Sequence, residues 1–308
     1  MDALIKPEKP SLTREEKAQS ELDIDIAFQS KNHGSTHHKI YNHSSADMNA
    51  VEDNSVHLAV TSPPYFNAKE YSQWNSLDDY LSDMKKIMAE TLRTLVPGRK
   101  FCLNISDLPE KGPSGVRWIP LGAQLALAAQ EVGFEIVDRI IWFKTPLKGF
   151  QYGSLPYPPS PLICDSMEYI FVLRKPLGKS KVDYRHVNAL QKEASKLKRE
   201  DYIEYTKQIW SLRRVRRQHN LDGHIAPYPL DIPERCIRLY SFVGETILDP
   251  FAGSGTTNVA AVVNRRNSIG YELQTDYISY INERMELAKG HDELGSREYG
   301  EFQVEYFG

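Results

Sequence analysis

Residues 246–264 constrain the fold more than any other stretch. A short β-rich run, 246–248, leads into Asp249-Pro250-Phe251-Ala252-Gly253-Ser254-Gly255-Thr256-Thr257, and an apolar helical stretch, 256–264, follows at once. Gly253 and Gly255 open backbone conformations closed to other residues and let a ligand approach the main chain. Strand, glycine turn and helix are half of a βαβ unit, and 268–271 supplies its second strand. A parallel sheet with right-handed crossovers is implied. Asp249, at a strand's C-terminal end, suits a cationic or hydroxyl-bearing ligand. Glu272, 23 residues further on and at the end of the next strand, stands where a ribose-binding carboxylate belongs. No lysine follows the second glycine and no third glycine completes the dinucleotide spacing, so neither a P-loop nor the NAD fingerprint is present.

The remaining chain continues the α/β pattern, and 308 residues suffice for one large domain. Strands are expected at 39–42, 56–60 and 100–105, with a helix over 77–95 that Pro97 and Gly98 terminate. A helix over 119–132 closes at Gly133. Strands 135–143 and 168–174 have no helix between them and are expected to run antiparallel, joined by a long proline- and glycine-rich loop, 145–165, of the kind that usually carries function. Helices follow at 187–209, 232–241 and 276–289, and the alternating run 301–307 reads as an edge strand. Residues 1–36 form a polar arm. The charged start and the absence of any 18-residue apolar window argue against a secretory signal or a membrane span, so a cytoplasmic location is expected. Cys102, Cys164 and Cys236 form no CxxC pair. His33, His37, His38 and His43 lack carboxylate or cysteine company at ligand spacing, and no metal site is expected.

Net charge is only −3, but its distribution is uneven: 174–217 holds 14 Lys and Arg against 5 Asp and Glu, leaving 24 against 36 elsewhere. Such a strip attracts phosphates whatever the overall charge, and Arg213, Arg214, Arg216 and Arg217 are its densest part. A solvated helix face is the alternative reading.

A second motif, Thr61-Ser62-Pro63-Pro64-Tyr65, ends the strand 56–60. Two consecutive prolines cannot continue a ladder, so they force a rigid turn with free carbonyls, a hydroxyl before it and an aromatic ring after it. Open α/β sheets place ligands at such strand ends.

With these two motifs the chain resembles the amino-methylating DNA methyltransferases, which use S-adenosylmethionine. Their catalytic Asp/Asn/Ser-Pro-Pro-aromatic sequence is matched by Ser62, Pro63, Pro64 and Tyr65, and their cofactor motif by Asp249, Pro250, Phe251, Gly253 and Gly255. The catalytic motif precedes the cofactor motif, as in the permuted beta group. Further similarities are Ser45-Ala46-Asp47, 140–144, 168–174 and 224–229. The resemblance implies a Rossmann-like, mostly parallel sheet divided into an arm (1–36), a catalytic half (37–176), a basic target-recognition insert (177–222) and a cofactor half with tail (223–308). It implies that Asp47 lies near the adenosine, with Glu272 at the ribose and His224 or Pro227 at the methionine end. Ser62 and the Pro63 carbonyl would accept the protons of a flipped base's amine while Tyr65 stacks on the base. Ser62 at the first position is typical of cytosine-N4 enzymes, whereas Asp is typical of adenine-N6 enzymes. Duplex DNA is the implied substrate and a cognate restriction endonuclease a partner. A nucleotide-dependent oxidoreductase would leave Ser62 to Tyr65 unexplained, and a non-catalytic DNA-binding regulator would not need both motifs intact.

Overall fold

The computed structural model describes residues 35–67, 74–112, 115–145, 158, 163, 165–178, 181–215, 228–290 and 302–307. In chain order the elements are β1 (Thr36–Tyr41), β2 (Val56–Thr61), α1 (Leu77–Thr94), β3 (Leu95–Ile105), β4 (Leu108–Gly112), β5 (Gly115–Ile119), α2 (Leu121–Val132), β6 (Glu135–Thr145), β7 (Met167–Arg174), α3 (Ala189–Ala194), α4 (Arg199–Tyr205), β8 (Ile209–Arg213), α5 (Asp231–Tyr240), β9 (Thr246–Asp249), α6 (Thr256–Val263), β10 (Asn267–Tyr271), α7 (Thr275–Gly290) and β11 (Phe302–Phe307). Among these residues nine strands form one sheet in the order β11-β1-β10-β9-β2-β3-β7-β6-β8, and β4 with β5 makes a separate hairpin. Every neighbouring pair in the large sheet is parallel except those of β7, which runs antiparallel to β3 and β6. This is the expected mostly parallel sheet, antiparallel at the expected place.

The central strands are apolar throughout because helices cover both faces. On one face α1 and α2 bury Tyr80, Met84, Met88, Leu121 and Leu125 against β3. On the other, α5, α6 and α7 bury Ile232, Cys236, Ile237, Ala260 and Ile281. Local chemistry sets the helix ends. Ser76 caps α1 by accepting from the Asp79 amide at 3.1 Å, with Asp78 and Asp79 in the first turn and Arg93 in the last. Gly133 ends α2 in the left-handed conformation, as its position predicts.

Two expectations are corrected. Pro97 and Gly98 do not terminate α1. The helix stops at Thr94, Leu95 turns extended to pair with Val56, and Pro97 and Gly98 lie in a bulge of β3 before pairing resumes at Leu58 with Lys100. The helix expected over 187–209 is two short helices and a strand. Asn188 opens α3 with a capping box, Ser195 closes it by bonding back to the Gln191 carbonyl at 2.6 Å, and β8 buries Trp210 and Leu212 while exposing the residues between. Alternation of that kind is a strand's signature. The hairpin β4–β5 is an element that sequence patterning does not predict. At the other edge β11 pairs with β1 in parallel, as an edge strand in the expected place. No helix among the described residues is long and apolar enough to cross a membrane.

Candidate active site

Because β2 and β9 are parallel neighbours, Thr61 and Asp249 end side by side, and the two motifs leave the sheet at the same edge. They are bonded to one another. Thr61 Oγ1 donates to Asp249 Oδ1 at 2.5 Å, and the Phe251 amide donates to the same oxygen at 3.0 Å. Asp249 is 1% exposed, and its Oδ2 is sealed from solvent. Burial pushes this carboxyl up to about 6, against the hydrogen bond from Thr61 that favours the charged form. Asp249 therefore faces inward, tying the glycine turn to the strand that presents Ser62.

Glu272 shapes the turn from the other side. Its Oε2 accepts from the Gly253 amide and its Oε1 from the Gln274 amide, both at 2.8 Å, while the side chain stays partly open. Burial raises its carboxyl above the usual range. Gly253 and Gly255 both have positive φ, +52° and +73°. A Cβ on Gly255 would meet Ile281 at 3.1 Å, whereas one on Gly253 would meet only the Phe251 carbonyl, at 3.8 Å. Helix α7 braces the turn further, as Arg284 Nη1 donates to the Ser254 carbonyl at 2.8 Å and to Thr256 Oγ1 at 3.0 Å. Pro250 and Phe251 complete the turn. Asp47 is exposed on the turn after β1, at the same sheet edge. His224 and Pro227 lie outside the described residues. Tyr228, the next described residue, is hydrogen-bonded to Thr257 at the start of α6.

In the second motif Pro63 is buried, and Ser62, Pro64 and Tyr65 are partly exposed in backbone without regular structure. The Tyr65 hydroxyl donates to Glu168 Oε2 at 2.8 Å and is also hydrogen-bonded to the Ser62 side chain. Burial, and then the Glu168 charge, push the phenol well above its ordinary range. Glu168 Oε1 lies 3.1 Å from Lys144 Nζ, which lies 3.3 Å from Asp165 Oδ2. Sequence reasoning assigns Thr61, Glu168 and Lys144 no role. The available signal is that 140–144 and 168–174 are adjacent antiparallel strands, which brings the end of one to the start of the other.

The basic segment looks different in place. Arg174 pairs with Glu135, Arg185 with Asp183, Lys196 with Glu193 and Lys207 with Glu204. Arg213 ends β8 exposed, and Arg214 follows, partly buried, with Nη2 on the Asp165 carbonyl at 3.2 Å. β8 is parallel to β6 and β2, so both arginines emerge at the motif edge of the sheet. Arg216 and Arg217 lie outside the described residues. At the opposite edge His57, His186 and Glu245 come together, but Glu245 is already held by Arg99 and by the Phe242 amide.

The profile of a family described as DNA methylase matches residues 56–283. Type II methyltransferase M.MjaI of Methanocaldococcus jannaschii is 32% identical over 281 residues, covering 81% of this chain and 91% of its own. Type II beta methyltransferase M.BslI of a Bacillus species is 35% identical over 254 residues, 77% of this chain, and this chain spans about a quarter of it (26%). Among solved structures, a putative DNA modification methylase of Thermus thermophilus, complexed with S-adenosyl-L-methionine, superposes with a TM-score of 0.69 at 30% identity, covering 88% of this chain and 98% of its own. The cytosine-N4-specific PvuII DNA methyltransferase shares the fold, with a TM-score of 0.60 at 19% identity over 85% of this chain and 89% of its own.

Proposed function

The chain belongs to the DNA methylase family, and from that premise we propose that it methylates the N4 amine of a cytosine flipped out of duplex DNA. It is an S-adenosylmethionine-dependent DNA amino-methyltransferase of the beta group, with its catalytic motif ahead of its cofactor motif. The observation that carries the site assignment is the Thr61–Asp249 hydrogen bond, which locks the two motifs together at adjacent strand ends.

S-adenosylmethionine supplies, when bound, a methyl group activated by a sulfonium. The turn from Asp249 to Gly255 fits it: Asp249 holds the turn against β2, a Cβ on Gly253 would meet nothing closer than the Phe251 carbonyl at 3.8 Å, and Glu272 keeps its carboxylate oriented by two amides yet partly open toward ribose hydroxyls. Asp47, at the same edge, is assigned to the adenosine end, and His224 and Pro227 to the methionine end. At the neighbouring strand end, Ser62 Oγ and the Pro63 carbonyl accept hydrogen bonds from the two N–H groups of the target amine, and the proton that the methyl group replaces is released to water after transfer. This favours a pyramidal nitrogen with an available lone pair. Ser62 acts as an acceptor rather than a base, because a serine hydroxyl is too weak for that task near neutrality. Tyr65 stacks on the extruded base, a contact worth about 1–3 kcal/mol. Arg213, Arg214, Arg216 and Arg217 contact the DNA backbone, and a cognate restriction endonuclease is the proposed biological counterpart.

Ser62 supports cytosine over adenine, since a neutral acceptor stands where adenine-N6 enzymes employ a carboxylate. Nucleoside mass spectrometry of DNA from a modification-free host expressing the chain tests this. N4-methylcytosine is expected. Finding N6-methyladenine alone would reassign the base to the alternative, adenine N6.

A further inference from the structure

Stacking uses the face of an aromatic ring, so a phenylalanine would serve the base as well as a tyrosine does. The Tyr65 hydroxyl is therefore surplus to stacking, and yet the structure provides a dedicated acceptor for it. That acceptor, Glu168, comes from β7, 103 residues along the chain, and the Glu168 side chain is only 13% exposed. Next to it Lys144 is held with its side chain 8% exposed, an unfavourable place for an ammonium unless carboxylates surround it. Both Glu168 and Asp165 do so. The division of atoms is informative. Lys144 takes Glu168 Oε1, which leaves Oε2 to the phenol.

What this arrangement holds is a ring that nothing else fixes by regular structure. Ser62 to Tyr65 lie in backbone outside any helix or strand. Packing from neighbouring apolar residues limits where the ring lies, but a directional bond at its far end sets its rotation. The sheet makes this possible. β7 enters antiparallel between β3 and β6, so its first residues meet the last residues of the parallel strands at the edge where Ser62 and Tyr65 emerge.

We propose that Glu168, anchored by Lys144, is a positioning residue for the target base: it pins the Tyr65 hydroxyl and so presets the ring on which the flipped base stacks. The proposal rests on the assignment of Tyr65 as the stacking residue. Presetting the ring removes an ordering cost that would otherwise arise when the base arrives. The benefit appears in transfer from the DNA complex and leaves cofactor binding untouched.

The test compares Tyr65→Phe, Glu168→Leu, their combination and Tyr65→Ala. Tritium transfer from labelled S-adenosylmethionine into modification-free phage lambda DNA gives the rates, and titration calorimetry gives the cofactor affinity. Tyr65→Phe and Glu168→Leu are each expected to slow transfer about ten-fold, the consequence of losing one hydrogen bond to a charged group. The combination is expected to lose clearly less than the product of the two single losses, because the Tyr65–Glu168 bond is common to both changes even though Tyr65→Phe also frees Ser62 and Glu168→Leu also frees Lys144, and cofactor affinity stays within about two-fold. A merely structural Glu168 would instead give additive losses. Additive losses, or Tyr65→Phe at parental rate beside an inactive Tyr65→Ala, overturn the tether and leave the stacking assignment standing. Tyr65→Ala at parental rate overturns the stacking assignment itself. Should Glu168→Leu fail to fold, Glu168→Gln, which keeps the shape and removes the charge, takes its place in the same comparison.

Discussion

The two motif-bearing strand ends and the basic segment 174–217 are both rich in polar side chains, and they use them in opposite ways. At the strand ends the polar groups are turned inward and bonded to one another: Asp249 to Thr61 and Phe251, Glu272 to Gly253 and Gln274, Tyr65 to Glu168. In the basic segment they are turned outward, and four of the cations are matched with acids on the surface. Exposed pairs of this kind contribute little to stability. A spacing motif thus reports a geometry the chain must build, whereas a charge count reports only what is available, and part of that is consumed locally.

The sharpest way to break the first region is at Gly255. Valine there would combine a positive φ with a Cβ 3.1 Å from Ile281, costing about 2–6 kcal/mol. Chemical denaturation and calorimetry should show a destabilised protein that no longer binds S-adenosylmethionine. A fold of parental stability with parental affinity would mean that the turn does not require glycine.

Asp249→Asn keeps both hydrogen bonds but removes a buried charge. An acid whose folded value is raised from 3.8 to about 6 weakens the fold as pH climbs through that window, since the folded state prefers the proton. Parent and variant should be equally stable near pH 3, and the variant more stable at pH 7 by up to about 3 kcal/mol, measured by denaturant titration at both values. Weaker binding of the cofactor is expected alongside that gain. A difference independent of pH would rule out an ionised Asp249.

Ser62→Ala should spare cofactor affinity and slow methyl transfer about ten- to hundred-fold, the effect of leaving one amine proton unpaired in the complex. Unimpaired transfer would remove Ser62 from the mechanism.

The smallest effects separate the cations matched with acids from the proposed DNA contacts. Changing Arg213, Arg214, Arg216 and Arg217 to Gln should flatten the dependence of log DNA affinity on log salt by about 0.9 for each phosphate no longer engaged. Changing Arg185, Lys196 and Lys207 to Gln should leave that slope alone, because their acids already neutralise them. Equal effects from both sets would mean that the whole segment binds as a diffuse strip.

Much of the site is legible in the sequence because its signals are local. The glycines announce a turn that other residues resist, the prolines end a strand by lacking a donor, and the distance from Asp249 to Glu272 fits one helix and one strand. Where two local signals compete, the outcome depends on distant partners. Pro97 and Gly98 look like helix terminators, yet Leu95 has already found Val56 on β2, which turns them into a bulge. Ile209 to Arg213 alternate as a strand, yet Ile209 reads as the end of the helix 187–209 and the four residues after it as no element, because only the exposed edge of β6 supplies the ladder on which that alternation can pair.

By itself, then, the sequence determined the element types outside 108–119 and 187–213, the two turns and the order of the motifs, and these follow from backbone freedom and hydrogen-bonding capacity within a few residues. Tertiary structure alone decided which side chains meet. Glu168 reaches Tyr65, Thr61 reaches Asp249, and β11 returns to pair with β1, because strand order is chosen by the burial of whole faces. No single strand carries that information, since its pattern says which face is buried and not which neighbour buries it.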